Sequence, residues 1–371
     1  MHLNPILKKS PSLNTGALWL DAGAKSFYSY DGQPSLAFPW GAYAETQNQF
    51  WQFTPDGNSG HWDRAPVKSS ATFNSLTEIV WGYYTSGSGL GFAVGGYING
   101  FTTSTYDSSD SGLPIPGVVM FNSSSGEWTN SSTNVFPYGP LVNAGAAHFA
   151  APFGPDGLLV LIGGNSQMTP SAPRYPLSMD KVYIFDPVSK RWGEQSTSGD
   201  NPLPLESHCI VGVQGDSGTY EIFLYGGVVV DSTSETVNAG AVWVLSLPAF
   251  HWKKVTNPPY LGRWLHTCEV VGKRQMVVIG GKIATLNVDV TTTWETIPDP
   301  WDQGIGIFDM SALEWRSSYD HSAAEYTTPA LVKKFYEEHE SYPTFQDKTV
   351  EGWFTKEGED MSLQLGERTL T

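Results

Sequence analysis

Three histidines stand near the start of strand-like segments, and imidazole readily donates a hydrogen bond, accepts one or binds a metal near neutral pH. His148 and His266 each precede a glycine by six residues, so the spacing predicts equivalent positions for them. His208 begins the corresponding segment between them. Imidazoles that converge from neighbouring elements would suit a transition metal. Because no carboxylate has a ligand-like spacing to these histidines, the pattern favours hydrogen-bonding rings, and neither a metal nor a cofactor is expected.

Further donors and many aromatic side chains lie in four long connections that follow Gly-Gly pairs, over residues 97–116, 165–180, 228–240 and 282–303. Connections of this length usually carry function or are disordered. Their aromatic residues either roof an apolar pocket, the usual composition of a small-molecule site, or pack the loops onto the protein. Arg174 and Arg263 are additional donors near the same place. The candidate catalytic donors are His148, His208, His266 and Lys282, and the candidate substrate-binding residues are Tyr97, Phe101, Tyr175, Trp294 and Trp301.

Several familiar chemistries have no counterpart in the sequence. The chain contains no phosphate-binding loop, no dinucleotide fingerprint and no Gly-x-Ser-x-Gly elbow between a strand and a helix. No pair of carboxylates is placed for glycoside hydrolysis. The formal net charge of −16 argues against nucleic acid as a partner. No segment has the apolar length of a membrane-spanning helix.

The elements that must position these side chains form a repeat of 60 to 66 residues. Four apolar segments end in Gly-Gly, and in each of these repeats a Phe or Leu precedes a Trp by seven residues. Such a period predicts the four-stranded blades of a β-propeller. Glycine after the second strand permits positive φ, and the tryptophans are expected in the core. A fifth copy, at the start of the chain, matches the pattern less well. With this copy included, the repeat tryptophans are Trp62, Trp128, Trp192, Trp252 and Trp315.

Five repeats are visible, so the predicted fold class is an all-β propeller with five blades. Residues 1–12 are predicted to be an N-terminal arm, residues 13–318 the propeller, and residues 319–371 a C-terminal helix with an acidic tail. Within that last segment, residues 323–340 have a helical pattern. Residues 350–354 are expected as an additional strand, which would close the ring as part of a sixth blade; whether they do so is left open.

The repeat resembles the kelch repeat. Residues 211–216, 220–227 and 266–272 carry the resemblance, which extends over residues 13–336. More narrowly, the chain resembles the fungal kelch-type propeller proteins of the galactose oxidase/kelch superfamily. This resemblance implies a kelch-type β-propeller. It does not extend to the copper oxidases, because neither Cys209 nor Cys268 lies in the context of their tyrosine–cysteine cross-link.

Some fungal proteins of this type resemble pericyclic enzymes of secondary-metabolite clusters, including hetero-Diels–Alderases that join a tropolone or polyketide quinone methide to a humulene-type terpene. Such a reaction needs proximity and a few hydrogen-bond donors rather than a cofactor. The resemblance therefore favours a cofactor-independent enzyme that holds a hydrophobic small molecule in an aromatic pocket. The alternative is a non-catalytic kelch propeller that binds a protein or a glycan, as secreted or cell-wall relatives do.

The two cysteines bear on the cellular compartment. Counting back from Gly212 and Gly272, strand alternation directs Cys209 and Cys268 to opposite faces, which favours two free thiols over a cross-blade disulfide. Residues 1–9 place an apolar patch before the charges, unlike a signal peptide. We therefore expect a cytoplasmic protein if the chain is complete as given, and a secreted or cell-wall protein if its N-terminus is truncated. In the second case, the patterns that begin at Asn122 and Asn130 become glycosylation sites.

Overall fold

The computed structural model describes residues 13–34, 50–57, 59–103, 112–216, 218–229, 240–255, 262–283 and 299–355. The chain divides into two compact units. The first comprises Met1–Ala151 and Asn165–Tyr175, and the second comprises Pro152–Gly164 and Pro176–Thr371. Antiparallel sheets dominate both units. The all-β propeller-type fold predicted from the repeat is therefore confirmed.

The first unit holds two four-stranded antiparallel sheets. They are built from Ala17–Asp21, Ser26–Tyr30, Trp51–Asp56 and Ser59–Arg64, and from Tyr83–Gly87, Leu90–Val94, Val118–Asn122 and Glu127–Ser131. Strand Ala146–Ala150 and helix Ser70–Ser75 also belong to this unit. Trp19 is buried between the sheets, and its ring lies 6.1 Å from that of Phe121 and 5.9 Å from that of Trp128. The alternating apolar residues of these strands thus pack into one aromatic core of the first unit.

The second unit contains the strands of the later repeats. These are Leu158–Ile162, Lys181–Asp186 and Arg191–Ser196; Cys209–Gln214, Tyr220–Tyr225, Val242–Leu247 and His251–Lys254; and Arg263–Val271, Gln275–Ile283, Ile305–Asp309 and Glu314–Arg316. Strand Ser198–Gly199 adds a parallel edge beside His251–Lys254. Most apolar residues of these strands are buried, and the central strand Tyr220–Tyr225 is buried throughout.

The seven-residue spacing between Phe and Trp has a direct structural cause. The third and fourth strands of each repeat form a hairpin in which these two residues lie opposite each other. The register pairs Phe121 with Trp128 and Phe308 with Trp315, with ring centroids 4.9 Å and 5.4 Å apart. Cross-strand aromatic pairs of this kind stabilise a sheet. The tryptophans are therefore structural, as predicted.

The glycine pairs join each repeat to the next. The second glycine of three pairs (Gly96, Gly164 and Gly227), and Gly32 of the Asp31-Gly32 pair in the first repeat, donate their backbone N–H groups to a carbonyl at the entrance of the following repeat, at distances of 2.7 to 2.9 Å. These carbonyls belong to Ile79, Val142, Leu205 and Arg263. Because the backbones meet so closely, a Cβ atom at Gly96 or Gly227 would lie 2.9 Å from a facing backbone carbonyl oxygen. The motif is thus a joint between consecutive blades.

Replacement of Gly226 by alanine should lower the free energy of unfolding by about 2 kcal/mol, the order expected for a non-glycine residue forced into the left-handed region. Gly226 has φ of +73°, and a Cβ atom there would overlap the Arg263 carbonyl and the His266 ring. Gly352 is the matched control, since a Cβ atom there meets nothing within 4 Å. Alanine in that helix should stabilise by about 0.5–1 kcal/mol. Urea unfolding of both variants tests this, and equal midpoints would contradict it.

A second repeating feature sets the register of the innermost strands. A non-glycine residue with φ near +57° lies just before four of them (Thr15, Trp81, Ala144 and Ser207), and Leu265 is the third residue of strand Arg263–Val271. Counted from these residues, His208 and His266 are equivalent, because each follows its left-handed residue directly. His148 stands three positions further along. The predicted equivalence of His148 and His266 is therefore wrong, because spacing to a later glycine ignores differences in strand length.

Cys209 and Cys268 form a disulfide, with their Cα atoms 5.8 Å apart. The prediction of two free thiols is therefore wrong. Strand alternation does direct cysteines at these positions to opposite faces of their own sheets. Consecutive blades, however, pack with the leading face of one against the trailing face of the next. A disulfide between the innermost strands of the fourth and fifth repeats therefore requires that Cys209 and Cys268 point to opposite faces of their sheets.

The C-terminal segment is helical and packs on the second unit. Helix Ala330–Glu338 confirms the predicted helix, but residues 350–354 lie in helix Lys348–Phe354, so the predicted closing strand is wrong. The Phe354 ring lies 4.6 Å from that of Phe153 and 4.8 Å from that of Phe250. The Asp347 side chain caps this helix by accepting from the Thr349 N–H at 2.7 Å. Burial of Val350 and Phe354 in this packing favoured a helix over an additional strand.

Among the described residues, no helix has both the length and the apolar character needed to cross a bilayer.

Candidate functional site

Short two-stranded ribbons bring two loops of each repeat to the same face. The segment that enters the innermost strand pairs with the segment that follows the glycine pair. Leu141–Asn143 pairs with Asn165–Gln167, and Leu205–Glu206 pairs with Val228–Val229. In the second repeat, Val80 and Tyr97 exchange two backbone hydrogen bonds of 2.9 Å. These ribbons give the loop-borne side chains a rigid base.

In the first unit, these loops present a row of exposed large side chains, which we call the aromatic patch. Its exposed members are Trp81, Tyr138, Met168 and Tyr175, with 50%, 43%, 61% and 47% of their surface accessible. Tyr97 lies largely buried at its centre, and Arg174 is exposed beside it. Exposed large apolar side chains that adjoin one another are uncommon on a protein that binds nothing.

Contacts run along the patch without a break. The rings of Trp81 and Tyr97 meet edge to face at 6.1 Å. The Arg174 guanidinium donates to the Tyr97 hydroxyl at 3.3 Å. Tyr175 follows Arg174, and its ring lies 4.8 Å from that of Tyr138. The patch is thus an ordered surface with a guanidinium at its centre.

Met168 extends the patch beyond Tyr138. Gly139, which follows Tyr138, has φ of +127°, and a Cβ atom there would overlap the backbone of Met168. Only glycine therefore lets the entry loop approach the Met168 segment so closely. The thioether of Met168 adds a side chain that adapts readily to different partner surfaces.

His208 and His266 lie in the second unit, beneath the glycine pairs of the preceding repeats. A Cβ atom at Gly163 would lie 2.7 Å from Cε1 of His208, and one at Gly226 would meet the His266 ring. Burial lowers the pKa of His208 to about 4 and that of His266 to about 3. Both rings are therefore neutral at physiological pH. Their packing on glycine gives both histidines a structural part in the joint between repeats.

Two buried polar atoms in this region, Nδ1 of His266 and the Tyr225 hydroxyl, have no hydrogen-bond partner among the described residues. The His208 ring interacts instead with the Ile162 backbone. The Tyr225 and His266 rings lie 5.3 Å apart, and Nε2 of His266 is 3.2 Å from the Tyr225 carbonyl oxygen. Buried polar groups without partners are destabilising, so these atoms are available to hydrogen-bond a ligand or water.

The remaining predicted residues of the second unit are engaged in structural contacts. The Lys282 ammonium lies 5.6 Å from the Trp264 ring. Trp301 is buried, and the Arg263 guanidinium stacks on it at 4.0 Å. Arg263 also donates to the Gly280 carbonyl at 3.0 Å and pairs with Asp299. Trp301 therefore belongs to the core of the fifth repeat rather than to a pocket wall.

In the first unit, burial lowers the pKa of His148 to about 4. Phe101 is half-buried in a turn where its N–H donates to the Asn99 side chain at 2.8 Å. Tyr97, Tyr175 and the additional donor Arg174 are the predicted residues that the structure brings into one surface. Trp294 lies outside the described residues.

The first unit also contains a recess of about 100 Å³, lined by residues that include Asp31 and Asn130. Asp31 is almost completely buried; its Oδ1 accepts from the Ile79 N–H at 3.2 Å, and its carboxyl group also interacts with the Tyr30 hydroxyl. Burial raises the pKa of Asp31 well above its usual range, and the nearby Glu78 raises it further. This volume is far below that of ordinary ligand pockets, which reach several hundred Å³.

The fold and the loops can now be compared with known proteins. No protein-family model matches the chain. A "Kelch repeat-containing protein" of Arthroderma benhamiae is 23% identical over 344 residues, which cover 83% of this chain and 48% of that protein. The repeat is of the kelch type. The chain spans about half the length of this relative.

Two further relatives cover only part of this kelch-type chain. The "Host cell factor homolog hcf-1" of Caenorhabditis elegans is 25% identical over 165 residues, which are 42% of this chain and 20% of that protein. The "Host cell factor" of Drosophila melanogaster is 25% identical over 152 residues, or 38% of this chain and 10% of that protein. These stretches support the kelch-type fold.

Half of the aromatic patch was not predicted from the sequence. The loops after the glycine pairs, on which the prediction rested, supply Tyr97, Arg174 and Tyr175. Trp81 and Tyr138 lie instead in the loops that enter the innermost strands. A usable signal was present, because each of these aromatic residues directly precedes a glycine at a kelch blade entrance.

Proposed function

We propose that this chain is a kelch-type binding module that takes a partner protein on the aromatic patch. The observation that carries the proposal is the ordered row from Trp81 through Tyr97, Arg174 and Tyr175 to Tyr138. Tryptophan, tyrosine, methionine and arginine are enriched in protein interfaces, and the first two and arginine dominate binding hot spots. Their rings are already fixed by mutual contacts, so binding loses little side-chain entropy.

The charge of the chain indicates which partner chemistry suits this surface. The formal net charge is −16, yet Arg174 places a guanidinium inside the aromatic row. An aromatic or apolar segment of a partner would cover the rings, and a carboxylate or backbone carbonyl would accept from Arg174. A glycan is the other class of ligand that aromatic faces hold, and the binding experiment distinguishes the two.

Loss of the patch should weaken partner binding at least tenfold. The full chain is used as bait, cross-linked partners are identified by mass spectrometry, and each purified candidate is titrated against wild type, Tyr175→Ala and Arg174→Ala by biolayer interferometry. Removal of a hot-spot side chain costs about 2 kcal/mol or more of binding free energy, and a tenfold change in affinity corresponds to about 1.4 kcal/mol.

Leu18→Ala is the matched control, because Leu18 is an exposed apolar residue of the same unit outside the patch. It should bind like wild type. Equal weakening by Leu18→Ala and Tyr175→Ala would contradict the assignment of the patch. If no protein partner is found and a glycan array binds wild type but not Tyr175→Ala, the ligand of the patch is a glycan rather than a protein.

The cofactor-independent enzyme favoured by the resemblance is the second candidate function. Nδ1 of His266 and the Tyr225 hydroxyl, which have no partner among the described residues, support it, since hydrogen-bond donors that polarise a carbonyl are what a pericyclic reaction requires. The same preparation is incubated with terpenoid and tropolone substrates and analysed for adducts. Turnover that survives His208→Gln and His266→Gln would remove these residues from the proposal, and absence of turnover would leave the binding module.

We further propose that the chain folds in an oxidising compartment. The Cys209–Cys268 disulfide supports this location, because disulfides persist mainly in secreted and extracytoplasmic proteins and are rare in the cytosol. Export therefore agrees with the secreted or cell-wall alternative. Mass spectrometry of the native protein under alkylating conditions tests it, and free thiols at both cysteines would refute it.

A further inference from the structure

We propose that Asn130 carries an N-linked oligosaccharide. Asn130, Ser131 and Ser132 form the acceptor pattern, in which the hydroxyl of the third residue is required. Asn130 is exposed near the end of strand Glu127–Ser131. An acceptor in a folded protein must leave its amide nitrogen room for a bulky substituent, and this position does so.

One flank of the Asn130 amide is against Gly117, which has φ of +129°. A Cβ atom at Gly117 would lie 2.5 Å from Oδ1 and 3.3 Å from Nδ2 of Asn130, so Oδ1 is on the side nearer to the glycine. The side chain is exposed to solvent, and Asn130 also lines the recess of the first unit.

Asn122 begins the other acceptor pattern and offers an internal comparison. Its Oδ1 accepts from the Ser124 N–H at 3.0 Å, the Ser124 hydroxyl at 2.7 Å and the Ser125 N–H at 3.0 Å. This amide is half-buried and holds the turn between strands Val118–Asn122 and Glu127–Ser131. Asn130 is therefore the position that we assign.

The place of Asn130 in the sheet gives the oligosaccharide a physical consequence. Strand Glu127–Ser131 is the outer edge of its four-stranded sheet. Exposed edge strands invite pairing with another chain, and proteins commonly block them. A bulky hydrophilic substituent on this strand hinders such pairing and so opposes aggregation.

The chemical step requires a lipid-diphosphate-linked oligosaccharide as co-substrate. The Nδ2 atom of Asn130 attacks the anomeric carbon of the donor, an N–C bond forms, and the C–O bond to the lipid diphosphate breaks. The amide loses one proton, and the lipid diphosphate leaves with the bonding electron pair. This donor occurs in the secretory pathway, and the Cys209–Cys268 disulfide supports passage of the chain through it.

The test expresses the full chain behind a host signal peptide in a eukaryotic cell. Secreted and membrane-enclosed pools are analysed together by peptide mass spectrometry before and after an amidase that removes N-glycans. Ser132→Ala removes the required hydroxyl and leaves Asn130 in place, whereas Ser131→Ala is the matched control that preserves the pattern. We expect occupancy of Asn130 in wild type and Ser131→Ala, and its complete loss in Ser132→Ala and Asn130→Gln.

An unmodified Asn130 peptide in wild type, in cells that glycosylate a co-expressed reference protein, would overturn the assignment. Occupancy confined to Asn122 would overturn it equally. Neither result depends on a partner protein, so failure here is distinguishable from failure of the binding module.

Discussion

Loss of the Cys209–Cys268 disulfide should lower the free energy of unfolding of the second unit by about 4 kcal/mol. The cysteines are 59 residues apart in sequence, and a cross-link over such a loop removes about that much conformational freedom from the unfolded chain in the loop-entropy treatment. Cys209→Ser/Cys268→Ser and the wild type are compared by urea unfolding, monitored by tryptophan fluorescence. The midpoint of the double variant should fall clearly below that of wild type.

Reductant provides the control for this prediction. Wild type in the presence of a reductant should unfold like the double variant, and the double variant should not respond to the reductant. Identical midpoints for oxidised wild type and the double variant would show that the disulfide adds nothing to stability. Cys209 and Cys268 are both buried in the core that also contains Phe223 and Val278. Serine replaces both cysteines together, so that no single thiol remains.

Stability of the second unit should fall by about 3 kcal/mol as pH rises from 4.5 to above 7, through one side chain, Glu221. This residue is fully buried, and burial raises its pKa to about 7 from an ordinary value of 4.5. Between these values the folded chain keeps a proton that the unfolded chain has released, so stability is greatest at the acidic end and is lost as pH rises. Each pKa unit corresponds to about 1.4 kcal/mol.

Glu221 connects a central strand to the C-terminal segment. Its carboxyl accepts from the Tyr326 hydroxyl at 3.0 Å and from the Ser246 hydroxyl at 3.3 Å. The Ser246 and Tyr336 hydroxyls are 3.0 Å apart. Ionisation of the buried carboxyl therefore weakens the site that holds helix Ala330–Glu338 on the sheet.

Glu221→Gln isolates this effect, because glutamine preserves the hydrogen-bond acceptor and does not ionise. Unfolding free energies are measured from pH 4.5 to 8.5 for both proteins, and their difference removes the contributions of the buried histidines and Asp31, which both share. The difference should change by about 3 kcal/mol over the interval. Glu337→Gln, at an exposed position of the C-terminal helix, is the matched control. A decline in Glu221→Gln as steep as that in wild type would refute the role of Glu221.

The repeat could be recognised in the sequence because its residue patterns are local. The Phe-to-Trp spacing of seven is the length of one hairpin, and the register of Phe121 with Trp128 shows the two residues facing each other. The glycine pairs could be recognised for the same reason, since a positive φ is a local property that depends on the type of residue at that position. The strand content, the blade-like sheets and the structural role of the tryptophans all follow from such short-range relations.

Relations between distant segments were decided by tertiary structure. Strand alternation describes the faces of one sheet, whereas the Cys209–Cys268 bond depends on how two blades stack. The place of His148 depended on where its strand begins, which the left-handed Ala144 sets and the distance to Gly154 does not. Residues 350–354 became helical because Val350 and Phe354 could be buried on a sheet already formed.

The candidate site shows the same division. Tyr97 and Tyr175 were predicted from their loops, but they are 78 positions apart in sequence, and only the ribbons beside the blade entrances bring them together with Trp81 and Tyr138. Composition marks a loop as aromatic without saying whether its rings point outward or into the core. Tyr175 turned outward, whereas Trp301 turned inward beneath Arg263, because a buried guanidinium needed both an anion and an aromatic face. Local residue patterns thus predict the repeating kelch-type blade, whereas the packing of one blade on the next decides which side chains form a surface.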